Sequence, residues 1–246
     1  GYKPEGSGPG DSERGLLEIL GHLTRSGDVT ITQLLAANTA RMTAQTGDFS
    51  DVHDFVARLR PHFPEADLSV NAGPAFDAAI GDFNRDGRPD LAVLVQSDSD
   101  DADTSLFIYF RQDAEDGVLS LAFSGPDMLW GSGGSRRFYG QEPSLRALGN
   151  GSLAVTEQNW AVGRERWTST MTVAWRDERF VVAGYTYNSF DTLQEEEPLD
   201  CDLNLLTGRG TINGRAVSFS LRAVALGEWA GEYGENPGLI VCRGDP

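Results

Sequence analysis

Apolar and polar residues alternate along much of the chain after Leu68, and a period of two along the sequence is typical of β-strands. Segments rich in turn-forming or acidic residues separate the alternating runs. We therefore expect a mainly β protein that begins with an antiparallel, four-stranded module resembling a propeller blade. Its predicted strands are Phe76–Asp82, Asp90–Gln96, Ser105–Arg111 and Val118–Ser124.

The residues before this module follow a different pattern. In residues 11–66 apolar side chains recur at helical spacing, as at Leu16, Leu17 and Leu20, which predicts a small α-helical N-terminal segment. Residues 1–10 are rich in Gly and Pro and are expected to be a flexible leader or a tag remnant. The remaining residues, 67–246, form the predicted β domain.

Two further β sections are predicted after the first module, which covers residues 67–125. In residues 144–190 the pattern of the first module returns in degenerate form, with a tight Asn150-Gly151 turn in place of its long connection. In residues 200–246 the dipeptide Asn213-Gly214 predicts another hairpin. The apolar run Leu239–Val241 is expected to form the last strand.

One connection in the first module has the spacing of a calcium loop. The segment 81–91 reads GDFNRDGRPDL, with Asp82, Asn84 and Asp86 at alternate positions, then a glycine, then Asp90. Calcium binds six to eight oxygen atoms, and the backbone carbonyl of Arg88 would add one more ligand. The bidentate glutamate of an EF-hand is missing, because its position is a valine. The alternative is an acidic turn that never holds metal.

This combination of strand, loop and strand resembles the FG-GAP/VCBS-type repeat, which includes the integrin propeller repeats. The resemblance implies that Asp82, Asn84, Asp86, Arg88 (through its carbonyl) and Asp90 hold Ca²⁺, and that the ion is structural. It also implies an extracellular or periplasmic protein. One intact and one degenerate copy are too few for a seven-bladed ring, so we expect a partial propeller or a pair of packed sheets.

Charge and cysteine content narrow the possible partners and locations. The chain has 37 acidic and 20 basic residues, a net charge of −17, which argues against nucleic acid and anionic membrane surfaces. No run of apolar residues is long enough to predict a membrane span. The two cysteines, Cys201 and Cys242, either form a disulfide or are unrelated buried thiols. A disulfide together with the calcium loop would place the protein in the periplasm or outside the cell.

The sequence contains no recognised catalytic motif, so a binding or interaction role is expected. The predicted long loop Gly125–Pro143 carries Trp130, Arg136, Arg137 and Tyr139, which would contact a protein or glycan partner. Alternatively Trp130 and Phe138 pack at the edge of the sheets and the arginines neutralise nearby acids. The acidic run 98–103 is either a solvated loop or a second cation site. The alternative function is a secreted hydrolase that acts on polysaccharide or cell-envelope material through carboxylates that spacing does not identify.

Overall fold

A computed structural model describes residues 28–30, 75–96, 103–112, 118–132, 139–193, 198–229 and 236–244. Within them the fold consists of two antiparallel sheets and one short α-helix. Sheet A has the order β1-β5-β4-β3-β2, and sheet B has the order β12-β11-β10-β9-β8-β7-β6, with β13 paired to β9. The strands of sheet A are β1 (Asp28–Thr30), β2 (Ala75–Gly81), β3 (Asp90–Gln96), β4 (Asp103–Arg111) and β5 (Val118–Trp130). Those of sheet B are β6 (Ser144–Ala147), β7 (Leu153–Asn159), β8 (Glu165–Arg176), β9 (Arg179–Asp191), β10 (Leu199–Asn204), β11 (Arg209–Ile212), β12 (Arg215–Ser218) and β13 (Val224–Ala225).

The four strands predicted for the first module are present as β2 to β5 and pair in sequence order. Strand β5 is longer than expected and continues to Trp130, so the first part of the predicted loop Gly125–Pro143 is strand. The register of β4 and β5 shifts between Leu106, opposite Gly125, and Thr104, opposite Leu129. The Gly-Pro-Asp sequence, with Asp127 at φ 48°, is therefore accommodated as a bulge and does not end the strand.

The structure corrects the prediction for the N-terminal segment. Of residues 11–66 only 28–30 are described, and they form a strand, β1, at the edge of sheet A. Asp28 lies opposite Ser120 and Thr30 opposite Val118. The rest of the predicted helical segment lies outside the described residues, as do residues 1–10 and most of the acidic run 98–103. The pairing with β5 decides the conformation of β1. A helical pattern in the local sequence cannot show that this distant pairing forms.

Sheet B is an antiparallel meander whose hairpins include the two predicted turns, Asn150-Gly151 and Asn213-Gly214. The turn at Asp177-Glu178 joins β8 to β9, and Asn213-Gly214 joins β11 to β12. Asn213 and Gly214 both have positive φ, 49° and 73°, as a two-residue hairpin turn requires. The turn at Asn150-Gly151 joins β6 to β7. It takes the position in the second module that the longer β2–β3 loop has in the first.

The core lies between the two sheets. Each sheet turns one apolar face toward the other, because residues alternate between the two faces of a strand. Where the sheets meet, the ring of Phe110 contacts those of Trp175 and Phe180 at centroid distances of 4.9 and 5.6 Å. Burying one aliphatic side chain stabilises a fold by about 1.5–3 kcal/mol, so this shared layer holds the sheets together. Within the described residues the two packed sheets do not close into a propeller.

The C-terminal section ends in a helix, which corrects the prediction of a last strand. Helix α1 (Pro237–Arg243) includes the apolar run 239–241. The side chain of Asn236 accepts hydrogen bonds from the N–H groups of Gly238 and Leu239 and so caps the helix. A proline at the first helical position and Gly244 in the left-handed conformation at the end complete the boundaries.

The predicted disulfide is present and fixes this helix. Cys242 of α1 is bonded to Cys201 of β10, with their Cα atoms 5.7 Å apart. Both residues are buried in the core cluster. The bridge therefore joins a helix, not a strand, to sheet B. No helix within the described residues is long and apolar enough to cross a membrane.

We predict that replacing both cysteines, Cys201→Ser with Cys242→Ser, lowers the free energy of unfolding by about 2–4 kcal/mol, because the bridge closes a long loop in the unfolded chain. Urea unfolding in the presence and absence of a reducing agent measures this loss. The reductant should lower the midpoint of the wild type and leave that of the double variant unchanged. A wild-type midpoint that does not respond to reduction would contradict the prediction.

Candidate calcium loop and binding surface

The candidate calcium loop connects β2 to β3, so it joins two neighbouring strands as its sequence predicts. The last pair of the ladder is Gly81 opposite Asp90, which places Asp82 and Asp90 at the two ends of the loop. Arg85 and Gly87 have positive φ values of 65° and 84°. The glycine adopts this conformation without steric cost.

Hydrogen bonds from the loop to its own side chains shape it. Asp82 accepts from the N–H groups of Asp86 and Gly87 through its two carboxylate oxygens, both at 2.9 Å. Asn84 Oδ1 also accepts from the Asp86 N–H, at 3.0 Å. Asp86 Oδ1 accepts from the Arg88 N–H, at 2.9 Å. These oxygens therefore orient the backbone of the turn.

Asp86 has a cationic neighbour. Its Oδ2 lies 2.8 Å from Nη2 of Arg88, and Arg88 also donates to the backbone carbonyl of Gln112 beyond β4. Desolvation raises the pKa of Asp86, but the hydrogen bonds and charge of Arg88 outweigh it, and the net pKa is lowered. The exposed side of the loop is therefore held by a solvent-exposed ion pair, which contributes little stability alone.

Asp90 is the buried anchor of the loop. It is inaccessible to solvent and accepts hydrogen bonds from the N–H groups of Phe83 (2.7 Å), Asn84 (3.3 Å) and Arg111 (3.1 Å). One carboxylate thus ties the start of the loop to the end of β4. Desolvation raises its pKa to about 6, against the lowering effect of the three hydrogen bonds.

The predicted ligands fit calcium in kind, because all are oxygen atoms and three belong to carboxylates. Within the described ranges no three Asp, Glu, His or Cys side chains come together as a group that could hold a metal ion. In the conformation shown, the carboxylates serve the backbone of the turn. Calcium binding by Asp82, Asn84, Asp86, Arg88 and Asp90 stays a prediction.

The loop also contacts sheet B. Nη2 of Arg85 donates to the carbonyl of Asn150 at 3.0 Å, and a Cβ at Gly151 would lie 2.8 Å from the carbonyl oxygen of Asp82. A cleft of about 710 Å³ lies between the loop and the β6–β7 turn. Nearby, the N–H of Leu145 on β6 donates to Asp77 on β2 at 2.7 Å. The conformation of the loop is thereby coupled to the junction of the two sheets.

The structure separates the residues predicted for partner binding. Trp130 is half-buried at the end of β5, where its ring lies 5.1 Å from that of Trp167. The Trp130 N–H donates to the buried carboxylate of Glu157 at 2.7 Å. Tyr139 is 80% exposed. Arg136 and Arg137 lie outside the described residues, so their role stays a prediction.

A surface that the sequence did not indicate lies beside Tyr139. The Trp160 N–H donates to the carbonyl of Gly140, and the Trp160 ring lies 5.8 Å from that of Phe190. Most of the exposed large apolar side chains in the described ranges lie on the chain segments that these contacts and the bond from the Thr192 N–H to the Arg164 carbonyl bring together. We call it the aromatic patch, and its members are Tyr139, Trp160, Val162, Phe190 and Leu193.

Backbone and side-chain hydrogen bonds fix the patch in place. Trp160 Nε1 donates to Oγ1 of Thr168 at 3.0 Å, which holds the indole against β8 while 51% of the residue stays exposed. The N–H of Thr192 donates to the carbonyl of Arg164, which ties the end of β9 to the β7–β8 loop. In the local sequence only the apolar pair Trp160 and Val162, in a glycine-containing turn, indicates this patch. Phe190 is distant in the sequence and is brought beside Trp160 by the pairing of β8 and β9.

We predict that Asp90 makes the metal-free protein less stable as the pH rises through about 6. Because its pKa is raised in the folded state above the usual 3.8, its contribution to stability is fully present below about pH 4 and is lost through pH 6. Urea unfolding from pH 4.5 to 7.5 in EDTA measures this effect. The free energy of unfolding of wild type should exceed that of Asp90→Asn by a smaller amount as the pH rises.

The matched control for this prediction is Asp86→Asn. The pKa of Asp86 is lowered below the usual 3.8, so its contribution to stability is complete above about pH 4, and the difference in free energy of unfolding between wild type and this variant should stay constant from pH 4.5 to 7.5. An advantage over Asp90→Asn that is equal at pH 5 and pH 7 would contradict the assignment of Asp90.

Comparison of the chain with protein-family models, with curated proteins and with solved structures gave no match. The resemblance to FG-GAP/VCBS repeats therefore rests on the motif in residues 81–91 alone.

Proposed function

We propose that this protein is an exported binding module, whose partner contacts the aromatic patch and whose β2–β3 loop takes up a structural calcium ion. The observation that carries the binding role is the exposed ring pair of Trp160 and Phe190. Clustered exposed apolar side chains mark interaction sites on soluble proteins. Aromatic residues also supply much of the binding energy at the centre of interfaces.

The setting of the patch supports this role. Its residues lie on and beside the ends of β7, β8 and β9, which are anchored in the shared core, and loops on a rigid β scaffold frequently carry binding sites. Beside the patch, Arg164 lies 2.6 Å from Asp191. A partner therefore meets fixed rings next to a polar border, as in known interfaces.

The disulfide supports the proposed location in the periplasm or outside the cell. Disulfides persist chiefly in oxidising compartments, and the Cys201–Cys242 bridge is buried in the core of this protein. It also keeps α1 packed on sheet B after export. The location itself remains part of the proposal.

The proposed calcium role is structural. Asp82, Asp86 and Asp90 place three carboxylates within one short loop of a chain with a net charge of −17. A divalent cation would relieve their mutual repulsion, and the carbonyl of Arg88 and the amide of Asn84 would complete an all-oxygen set. Because Arg85 and Asp82 of this loop contact the β6–β7 turn, ordering the loop would also stabilise the junction of the sheets.

We predict that EDTA lowers the melting temperature by a few degrees and that Asp86→Ala removes this sensitivity. With a Kd on the order of 10⁻⁴ M, millimolar calcium would stabilise the fold by about 1.4 kcal/mol. The control is Glu228→Gln, an exposed carboxylate elsewhere, which should keep the wild-type response. A wild-type melt that is the same in EDTA and in millimolar calcium would rule out the structural ion.

We also predict that Trp160→Ala with Phe190→Ala abolishes partner binding while the melting temperature changes by less than about 2 °C, because both side chains are substantially exposed. Affinity capture from the culture medium and envelope fraction, with wild type and variant side by side, measures the loss. The matched control replaces two exposed apolar residues elsewhere, Leu206→Ala with Ile240→Ala. Equal capture by wild type and by the patch variant would contradict the assignment.

A further inference from the structure

The face of sheet B that points away from the core carries ordered rows of hydroxyl and amide side chains. Thr156 on β7 lies opposite Thr170 on β8, and Thr170 lies opposite Thr186 on β9. The adjacent row is formed by Gln158, Thr168 and Asn188 on the same three strands. We call this surface the threonine face, and its members are Thr156, Gln158, Thr168, Thr170, Thr186 and Asn188.

The threonine face is partly exposed to solvent. Its side chains are half-buried or exposed, whereas their neighbours along β8 and β9, such as Met171 and Tyr185, are buried in the core on the opposite side. Helix α1 also packs on that opposite side, because a Cβ at Gly238 would lie 2.4 Å from the ring of Tyr185. The helix therefore leaves the threonine face accessible.

The face and the aromatic patch are continuous. Trp160 follows β7 and donates its indole N–H to Thr168, a member of the threonine face. Phe190 lies two residues after Asn188 on β9 and therefore on the same side of the strand. Two exposed rings thus border a flat array of hydroxyl and amide groups.

The array has spacing and rigidity that suit an extended ligand. Neighbouring strands are about 4.8 Å apart, and side chains on one face of a strand repeat about every 6.8 Å, so polar groups recur on the scale of one sugar ring. The Thr156 and Thr170 hydroxyls lie 2.9 Å from each other, and the Asn188 amide donates to Asp200 at 2.8 Å. β-branched side chains have few rotamers, which reduces the entropy lost on binding.

Charged side chains border the threonine face. The next strand, β10, continues both rows with exposed carboxylates, because Asp202 lies opposite Thr186 and Asp200 opposite Asn188. At another border, Arg166 lies opposite Phe190 and donates to the carbonyls of Val162 and Gly163. The hydroxyl groups of a neutral ligand can donate to the bordering carboxylates, whereas these carboxylates would repel an anionic polymer.

We propose that the partner is a neutral glycan chain, which stacks a sugar ring on Trp160 and Phe190 and extends over the threonine face. This inference rests on the proposed binding role of the aromatic patch and names the class of its ligand. Sugar rings present an apolar C–H face and several hydroxyls, and these match exposed aromatic rings beside neutral hydrogen-bonding groups. A protein partner would use the rings and Leu193, but it would gain little from rows of threonine hydroxyls.

The test is co-sedimentation with insoluble neutral polysaccharides (cellulose, chitin, mannan and xylan), together with an array of neutral and anionic oligosaccharides, at 0.15 and 1 M NaCl. We expect at least one neutral glycan to be bound at both salt concentrations, because no ion pair is involved. Trp160→Ala should weaken binding at least tenfold. Thr170→Val with Thr186→Val, which keeps the shape and removes two hydroxyls, should weaken binding about three- to tenfold.

The controls separate loss of binding from loss of folding. The variant Thr207→Val changes an exposed turn threonine away from this face and should bind like wild type. Melting curves of the threonine variants should match wild type, since valine has a high strand propensity. Equal glycan binding by wild type and by Thr170→Val with Thr186→Val would overturn the role of the threonine face.

The remaining outcomes distinguish this inference from the proposed function. If only anionic glycans bind, or if no glycan binds while a protein captured by wild type is lost from the Trp160 variant, the glycan inference is wrong and the binding module stands. If neither a glycan nor a protein depends on Trp160, both are wrong.

Discussion

The packing of two sheets against one shared apolar core is the constraint on which the other features depend. Each sheet has a face that must be buried, and the contacts of Phe110 with Trp175 and Phe180 join the two faces. Once the inner face of sheet B is buried, the alternation of side chains along β7, β8 and β9 leaves the opposite face open. The threonine face and the aromatic patch are therefore consequences of the same packing that stabilises the protein.

A few polar contacts fix how the sheets meet. Asp77 binds the backbone of β6, Arg85 binds the β6–β7 turn, and Glu157 on β7 binds the backbone of Trp130 on β5. Glu157 is buried, and buried polar groups cost stability unless they are satisfied, so its contact specifies one arrangement of the sheets. The loop anchored by Asp90 takes part in this junction, and a structural cation there would act on the scaffold and not on the ligand surface.

The sequence predicts the regular parts of this fold well, because they depend on local chemistry. The residue types at Asn213-Gly214 favour few conformations other than a tight turn. The bounds of β3 likewise follow from residue types that favour few alternatives to a strand. The run Leu239–Val241 suits a strand or a helix, because aliphatic and β-branched residues occur in both, and the capping side chain of Asn236 decides for helix. Strand β1 depends on pairing with β5 across about ninety positions, which no local pattern shows.

The candidate sites were predictable to different degrees. Spacing alone located the loop from Asp82 to Asp90, but it could not show that the carboxylates bind the backbone of the turn. Of the predicted binding residues that the structure describes, Tyr139 is exposed beside the aromatic patch, and Trp130 packs on Trp167. Trp160 and Phe190 are thirty residues apart and become neighbours only through the register of β8 and β9. Surfaces assembled by sheet register are therefore the part that sequence patterns miss.

The most direct measurement of the binding surface is a titration followed through the indole N–H signals of the five tryptophans in a ¹H–¹⁵N NMR spectrum. With a neutral oligosaccharide as titrant, the signal of Trp160 should shift, because its ring is exposed and its N–H is bonded to Thr168. The buried Trp167 and Trp229 should not respond. Saturable binding that leaves the Trp160 signal unchanged would contradict the account.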